Sequence, residues 1–119
     1  MSYNLFIDDL RDPDHADCVR NGIDLTLDWV VVRSTLAARK VVLERGMPLR
    51  LALDHDLGLR DGGIVDEVSE FLTWLILDYS FHYSDGFNIP SYTIHTSNPE
   101  GRKNLVSKMV SWKKMIELD

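Results

Sequence analysis

The sequence predicts an α/β domain, a three-layer sandwich whose mostly parallel sheet of about four strands has the order 2-1-3-4. Two observations carry this expectation. Short apolar runs at residues 3–7, 29–32, 49–53 and 91–94 alternate with segments of helical spacing, the pattern of right-handed βαβ crossovers. A chain of 119 residues with 45% hydrophobic content also suits one domain, residues 1–119, with a sizeable core.

Residues 3–7 read as a short buried strand, and Trp29-Val30-Val31-Val32 is a β-branched run of the kind central parallel strands use. The crossover between them, residues 11–28, holds Pro13, Asn21 and Gly22, which leave room for only a short helix. Ser34 then offers an N-cap, Ala37, Ala38, Val41 and Val42 form one apolar arc with Arg39, Lys40 and Glu44 facing water, and Gly46 and Pro48 stop the helix. After the third strand comes a glycine-bearing loop, residues 57–63. Beyond it Ile64, Val68, Phe71, Leu72, Leu75, Ile76 and Tyr79 recur at helical spacing over about four turns. Asp61, Asp66 and Glu67 would complement the dipole at the start of that helix. Asn98-Pro99 supplies an N-cap and a favoured first residue for a last helix burying Leu105, Met109, Trp112 and Ile116.

The formal net charge of −6 argues against broad binding of duplex DNA, which rests on neutralising phosphates, but leaves room for a small phosphorylated ligand. No membrane association is expected, because the longest nearly apolar stretch, residues 71–81, falls short of the roughly 20 residues a span needs. The first apolar run stops at two aspartates without a basic region before it, so no signal peptide is expected and the anticipated location is cytoplasmic. Cys18 stands alone among acids and reads as an ordinary thiol.

Three strand ends carry the chemistry. Asp8-Asp9 follows Leu5-Phe6-Ile7, Asp54-His55-Asp56 follows the run ending at Leu53, and His95-Thr96-Ser97-Asn98 follows Tyr92-Thr93-Ile94. In a parallel sheet these ends leave by one edge, where ligands of open α/β sheets bind. Asp8, Asp9, Asp54, His55, Asp56, His95 and Asn98 are therefore expected to converge. Alternation along an extended segment would put Asp54 and Asp56 on one side and His55 on the other. Clustered carboxylates must share a cation or take up a proton, and an oxygen-rich set suits Mg²⁺ or Mn²⁺ better than Zn²⁺. His55 and His95 are candidate proton carriers near neutral pH. The turn from His95 to Gly101, with Thr96, Ser97 and Asn98, offers backbone N–H groups to an anion, and Arg11, Arg33 and Arg102 are the cationic partners for a phosphate. Taken singly, each of these residues is as readily a cap, a turn residue or a surface charge; their coincidence at one edge points to a site. His15 and His82 lie outside the clusters and read as surface residues.

Leu5-Phe6-Ile7-Asp8-Asp9-Leu10-Arg11 with Pro13, then Trp29 and Arg33-Ser34, then Leu53-Asp54-His55-Asp56-Leu57-Gly58, then His95-Thr96-Ser97-Asn98-Pro99-Glu100-Gly101 form a pattern over nearly the whole chain. This pattern resembles the cyclic-phosphate processing receiver domain family. The resemblance implies a receiver-like (flavodoxin-like) fold and a role in processing cyclic phosphates, among them the 2′,3′-cyclic ends left when RNA is cut. It matches Asp8 and Asp9 to the receiver's acidic metal-binding pair and Asp54 to its phosphoacceptor, with His55, Asp56, His95 and Asn98 as additions. A receiver's fifth strand and phosphate-binding lysine have no clear counterpart, which argues against ordinary phosphorelay signalling. The expected activity is thus that of a metal-dependent phosphoesterase acting on a small phosphorylated ligand or an RNA end. Asp8, Asp9, Asp54 and Asp56 would hold the cation, His55, His95 and Asp54 would be catalytic, and Arg11, Arg33, Thr96, Ser97, Asn98 and Arg102 would bind phosphate. The alternative is a catalytically silent receiver-like module that binds a nucleotide, a phosphate or a protein partner.

Overall fold

The computed structural model describes residues 2–60, 63–83 and 88–117. Its elements are β1 (Asn4–Ile7), α1 (Ala16–Arg20), β2 (Trp29–Val32), α2 (Thr35–Arg45), β3 (Arg50–Leu53), β4 (Asp56–Arg60), β5 (Ile64–Glu67), α3 (Val68–Trp74), a π-helical stretch (Leu75–Tyr79), α4 (Ser80–Tyr83), β6 (Ser91–Ile94) and α5 (Pro99–Glu117). The parallel sheet has the order β2-β1-β3-β6, so the expected arrangement is realised with β6 as its fourth strand. Ile7 pairs with both Val32 and Leu53, and Leu53 pairs with Ile94. The strands therefore end in one row, and the residues that follow emerge side by side.

Alternation along the strands divides the core. Leu5, Ile7, Val32, Leu51, Leu53 and Ile94 join Ala38 and Val42 of α2, Phe71 and Leu72 of α3, and Leu105, Met109 and Trp112 of α5. On the opposite face Phe6 and Ala52 form a smaller apolar cluster with Cys18, Ile23 and Trp29. The two helical layers are unequal because, among the described residues, the second face is covered by α1 and the segment after it, and Pro13, Asn21 and Gly22 confine that helix to five residues. His15, read as a surface residue, is its N-cap: the ring Nδ1 accepts the Asp17 N–H at 3.1 Å. Ser34 caps α2 as expected, accepting the Ala37 N–H at 3.1 Å.

The segment after β3 departs from expectation. Ile64 belongs to β5, which pairs antiparallel with β4, and the helix begins at Val68. Gly58 and Gly63 have φ of 78° and 74°, conformations that favour glycine, and they make this stretch a turning ribbon rather than a loop. Asp66 does not cap α3. It is buried and accepts the Thr35 N–H at 3.0 Å and the Thr35 hydroxyl at 2.6 Å, so it satisfies the start of α2 instead. Glu67 occupies the N-cap of α3 without a side-chain cap bond, and Asp61 lies outside the described residues. Arg39 lies over the Trp74 ring at 5.3 Å rather than facing only water, and Ile116 is exposed. Among the described residues no helix is long and apolar enough to cross a membrane.

Candidate functional site

The sheet ladder itself sets the site residues in place. The Asp8 N–H donates to the Val32 carbonyl at 3.2 Å, the Asp54 N–H to Ile7 at 3.0 Å and the His95 N–H to Leu53 at 2.9 Å. These bonds extend the parallel pairing by one residue beyond each strand. Asp8 is fully buried. Its Oδ1 accepts the N–H groups of Leu10 and Arg11, both at 2.9 Å, and its Oδ2 accepts Arg11 Nε at 2.8 Å and meets His95 Nε2 at 3.0 Å. Two partners on each oxygen fill the carboxylate's acceptor positions. Burial by itself would raise the Asp8 pKa. The bonds from His95 and the backbone, with the Arg11 charge, outweigh it and hold the carboxyl well below its ordinary range.

Asp54 receives less support. Its Oδ1 accepts the His55 N–H at 2.8 Å and lies 3.2 Å from Arg11 Nη2. Burial pushes its carboxyl up and the Asp8 charge adds to this, while the His55 N–H, Arg11 and His95 offset only part of the rise. Asp9 is half-buried, and one oxygen each from Asp8, Asp9 and Asp54 lie within 4.8 Å of one another. β4 passes close by, since a Cβ on Gly58 would stand 3.3 Å from Asp9 Oδ2. A purely carboxylate set of this kind fits a hard divalent cation. Cys18 and His95 also offer atoms within 4.8 Å of Asp8, but burial pushes the Cys18 thiol up to about 11, and it remains an ordinary protonated thiol.

Asp56 stands apart from the three carboxylates. The chain turns into β4 at this residue, so the extended alternation that would align Asp54 with Asp56 does not continue. Asp56 Oδ1 lies 2.8 Å from His55 Nδ1, and its Oδ2 accepts Asn98 Nδ2 at 3.3 Å. The His55 ring packs on the first turn of α5, where a Cβ on Gly101 would come within 2.5 Å of His55 Cγ. His95 lies deeper. Its side chain is 1% exposed, its ring stacks on Phe6 with centroids 5.0 Å apart, and its buried Nδ1 has no hydrogen-bond partner among the described residues. That is a place beneath Asp8, not the open position a proton carrier for a ligand needs.

The three arginines are all engaged within the protein. Arg11 spans Asp8 and Asp54. Arg33 Nη1 donates to the carbonyls of Asp8 at 3.1 Å and Arg11 at 2.6 Å, and its Nη2 pairs with Asp12, so Arg33 braces the loop after β1. Arg102 Nη2 donates to Asn21 Oδ1 at 2.8 Å and to the Thr96 carbonyl at 3.3 Å, tying α5 to the thin layer. In the turn, buried Thr96 accepts the Asn98 N–H through Oγ1 at 3.2 Å, and Asn98 Oδ1 caps α5 by accepting the Gly101 N–H at 3.1 Å. Ser97 stays exposed. The sequence reading missed Gly58, Gly101 and Phe6 as site residues. For Gly101 a signal existed, because glycine is a poor choice inside a helix unless something lies against it.

No curated protein and no solved structure matches the chain. The family model for the cyclic-phosphate processing receiver domain matches residues 3–111, which takes in the three strand ends, the hairpin of β4 and β5, and most of α5. On that match, the chain belongs to the cyclic-phosphate processing receiver domain family.

Proposed function

We propose that the domain hydrolyses a cyclic phosphate with one divalent cation, Mg²⁺ or Mn²⁺, on a small phosphorylated ligand or a 2′,3′-cyclic RNA end. The observation that supports this most directly is the meeting of Asp8, Asp9 and Asp54, with oxygens within 4.8 Å of one another, at the carboxyl edge of a parallel sheet. Asp9 and Asp54 are the direct holders, and Asp8 joins them when one of its present partners yields. When bound, the cation supplies a Lewis acid for phosphoryl oxygens and lowers the pKa of water.

The remaining work falls to the chain. Opening a cyclic phosphate adds water to phosphorus and expels a ribose oxygen, so one proton must be removed and another supplied. Ionised Asp56 favours the His55 tautomer with the proton on Nδ1, which leaves Nε2 as the basic nitrogen for that exchange. His95 positions Asp8 rather than meeting the substrate. Ser97, exposed beside Asn98, is the turn hydroxyl offered to the phosphate.

A second reading, a catalytically silent module that binds a nucleotide, a phosphate or a protein partner, draws on one observation. Arg11 already pairs with both Asp8 and Asp54, so part of the cleft's negative charge is offset without a cation. Incubation with cyclic nucleotides and 2′,3′-cyclic RNA ends, with and without Mg²⁺ or Mn²⁺, separates the two. The expected outcome is cation-dependent phosphomonoester, reduced at least about 100-fold in Asp54→Ala and in His55→Ala. Retained ligand binding without product under any condition would favour the silent module.

A further inference from the structure

We infer that Arg11 is a built-in competitor for the cleft cation: its guanidinium fills the space between Asp8 and Asp54, and a divalent cation binds by displacing it. The inference rests on the reading of Asp9 and Asp54 as cation holders. Arg11 Nε meets Asp8 Oδ2 at 2.8 Å, Nη2 meets Asp54 Oδ1 at 3.2 Å, and Nη1 reaches Asp17 Oδ2 at 3.5 Å. One planar cation thus joins the end of β1, the end of β3 and α1 through three nitrogens.

Asp8 can admit a new ligand only if one of its four partners leaves. Two are backbone N–H groups of its own turn and one is the buried His95 ring. The Arg11 side chain is the partner with access to solvent, and its flexible stem lets it swing outward. Its departure vacates an acceptor position on Asp8 and another on Asp54 together, two of the three carboxylates that offer oxygens within 4.8 Å of one another. The Arg11 backbone need not move, because its N–H remains on Asp8 Oδ1 and its carbonyl remains on Arg33. A guanidinium and a dication cannot share so small a space, since like charges in a partly buried cleft repel strongly.

The test is direct Mn²⁺ binding by the whole chain, followed by the electron paramagnetic resonance signal of the free ion. Wild type, Arg11→Gln, Arg11→Lys and Asp54→Asn are compared. The expected result is binding roughly tenfold tighter in Arg11→Gln, within the usual range of coupling between sites. Arg11→Lys keeps the charge but loses the fork, so it falls between; it also serves if Arg11→Gln does not fold. Equal or weaker binding by both Arg11 variants, with binding lost in Asp54→Asn, overturns the competitor and leaves the cation site standing. Absence of binding in wild type and both Arg11 variants overturns both.

Discussion

Asp8 and Asp54 stand at the ends of neighbouring strands, yet the same burial leads to opposite results because their donors differ. Asp8 has two backbone N–H groups, Arg11 Nε and His95, whereas Asp54 has one N–H, one arginine contact and the repulsion of Asp8. The Asp8 carboxyl is lowered, so its contribution to stability is fully present above the unfolded value of about 3.9 and is lost as pH falls through the lower folded value. The Asp54 carboxyl is raised, so the folded state prefers it protonated. Its stabilisation exists at low pH and is lost as pH rises from about 3.9 through the higher folded value. At neutral pH, Asp54→Asn should therefore stabilise the domain by about 1 kcal/mol, because it removes a charge that burial and the neighbouring Asp8 disfavour. Asp8→Asn should cost about 3 kcal/mol, because it removes the fully buried carboxylate that pairs with Arg11 and accepts two backbone N–H groups. Urea unfolding of both variants at neutral and acidic pH checks the signs; two changes in the same direction would contradict this account.

At the scale of elements, the strands were legible because runs such as Trp29-Val30-Val31-Val32 admit no helical stripe, and the caps at Ser34 and Asn98 sat where local chemistry puts them. The hairpin was not legible. Ile64 lies four residues before Val68, so helical spacing claimed it, and only pairing with β4 makes it a strand. Asp66 misled for a related reason: its partner Thr35 lies 31 residues away, which no local capping rule reaches. Gly101 shows how the first turn of α5 depends on a distant contact. An isolated helix gains about 1 kcal/mol when glycine becomes alanine. Here the added methyl would meet His55 Cγ at 2.5 Å, and overpacking of this kind costs about 1–3 kcal/mol. Gly101→Ala is thus expected to lower the melting temperature and to disturb the pairing of His55 with Asp56, visible in the NMR shift of His55 Nδ1. A more stable variant with unchanged His55 signals would show that the ring yields freely and that the glycine serves no packing purpose.

Across the whole molecule, the site exists because four parallel strands end in register, and that much followed from the alternation of strands and helices. Depth did not follow from it: a position just after a strand says which edge a side chain leaves by, not that His95 stacks on Phe6 beneath Asp8 while Asp56 turns outward. The result is a chain of net charge −6 that gathers three carboxylates at one edge and bridges two of them with the single charge of Arg11. A cation that binds there only in the folded state must raise global stability by mass action. At ten times its dissociation constant, Mn²⁺ would add about 1.4 kcal/mol. For a domain of this size that moves the melting temperature up by roughly 5 °C. Screening alone would act on every charge alike, so NaCl at matched ionic strength is the control. Calorimetry should show the Mn²⁺ rise in wild type and only the NaCl-sized rise in Asp54→Asn. Equal rises with Mn²⁺ and NaCl in both proteins would mean that the carboxylates repel one another without forming a cation site.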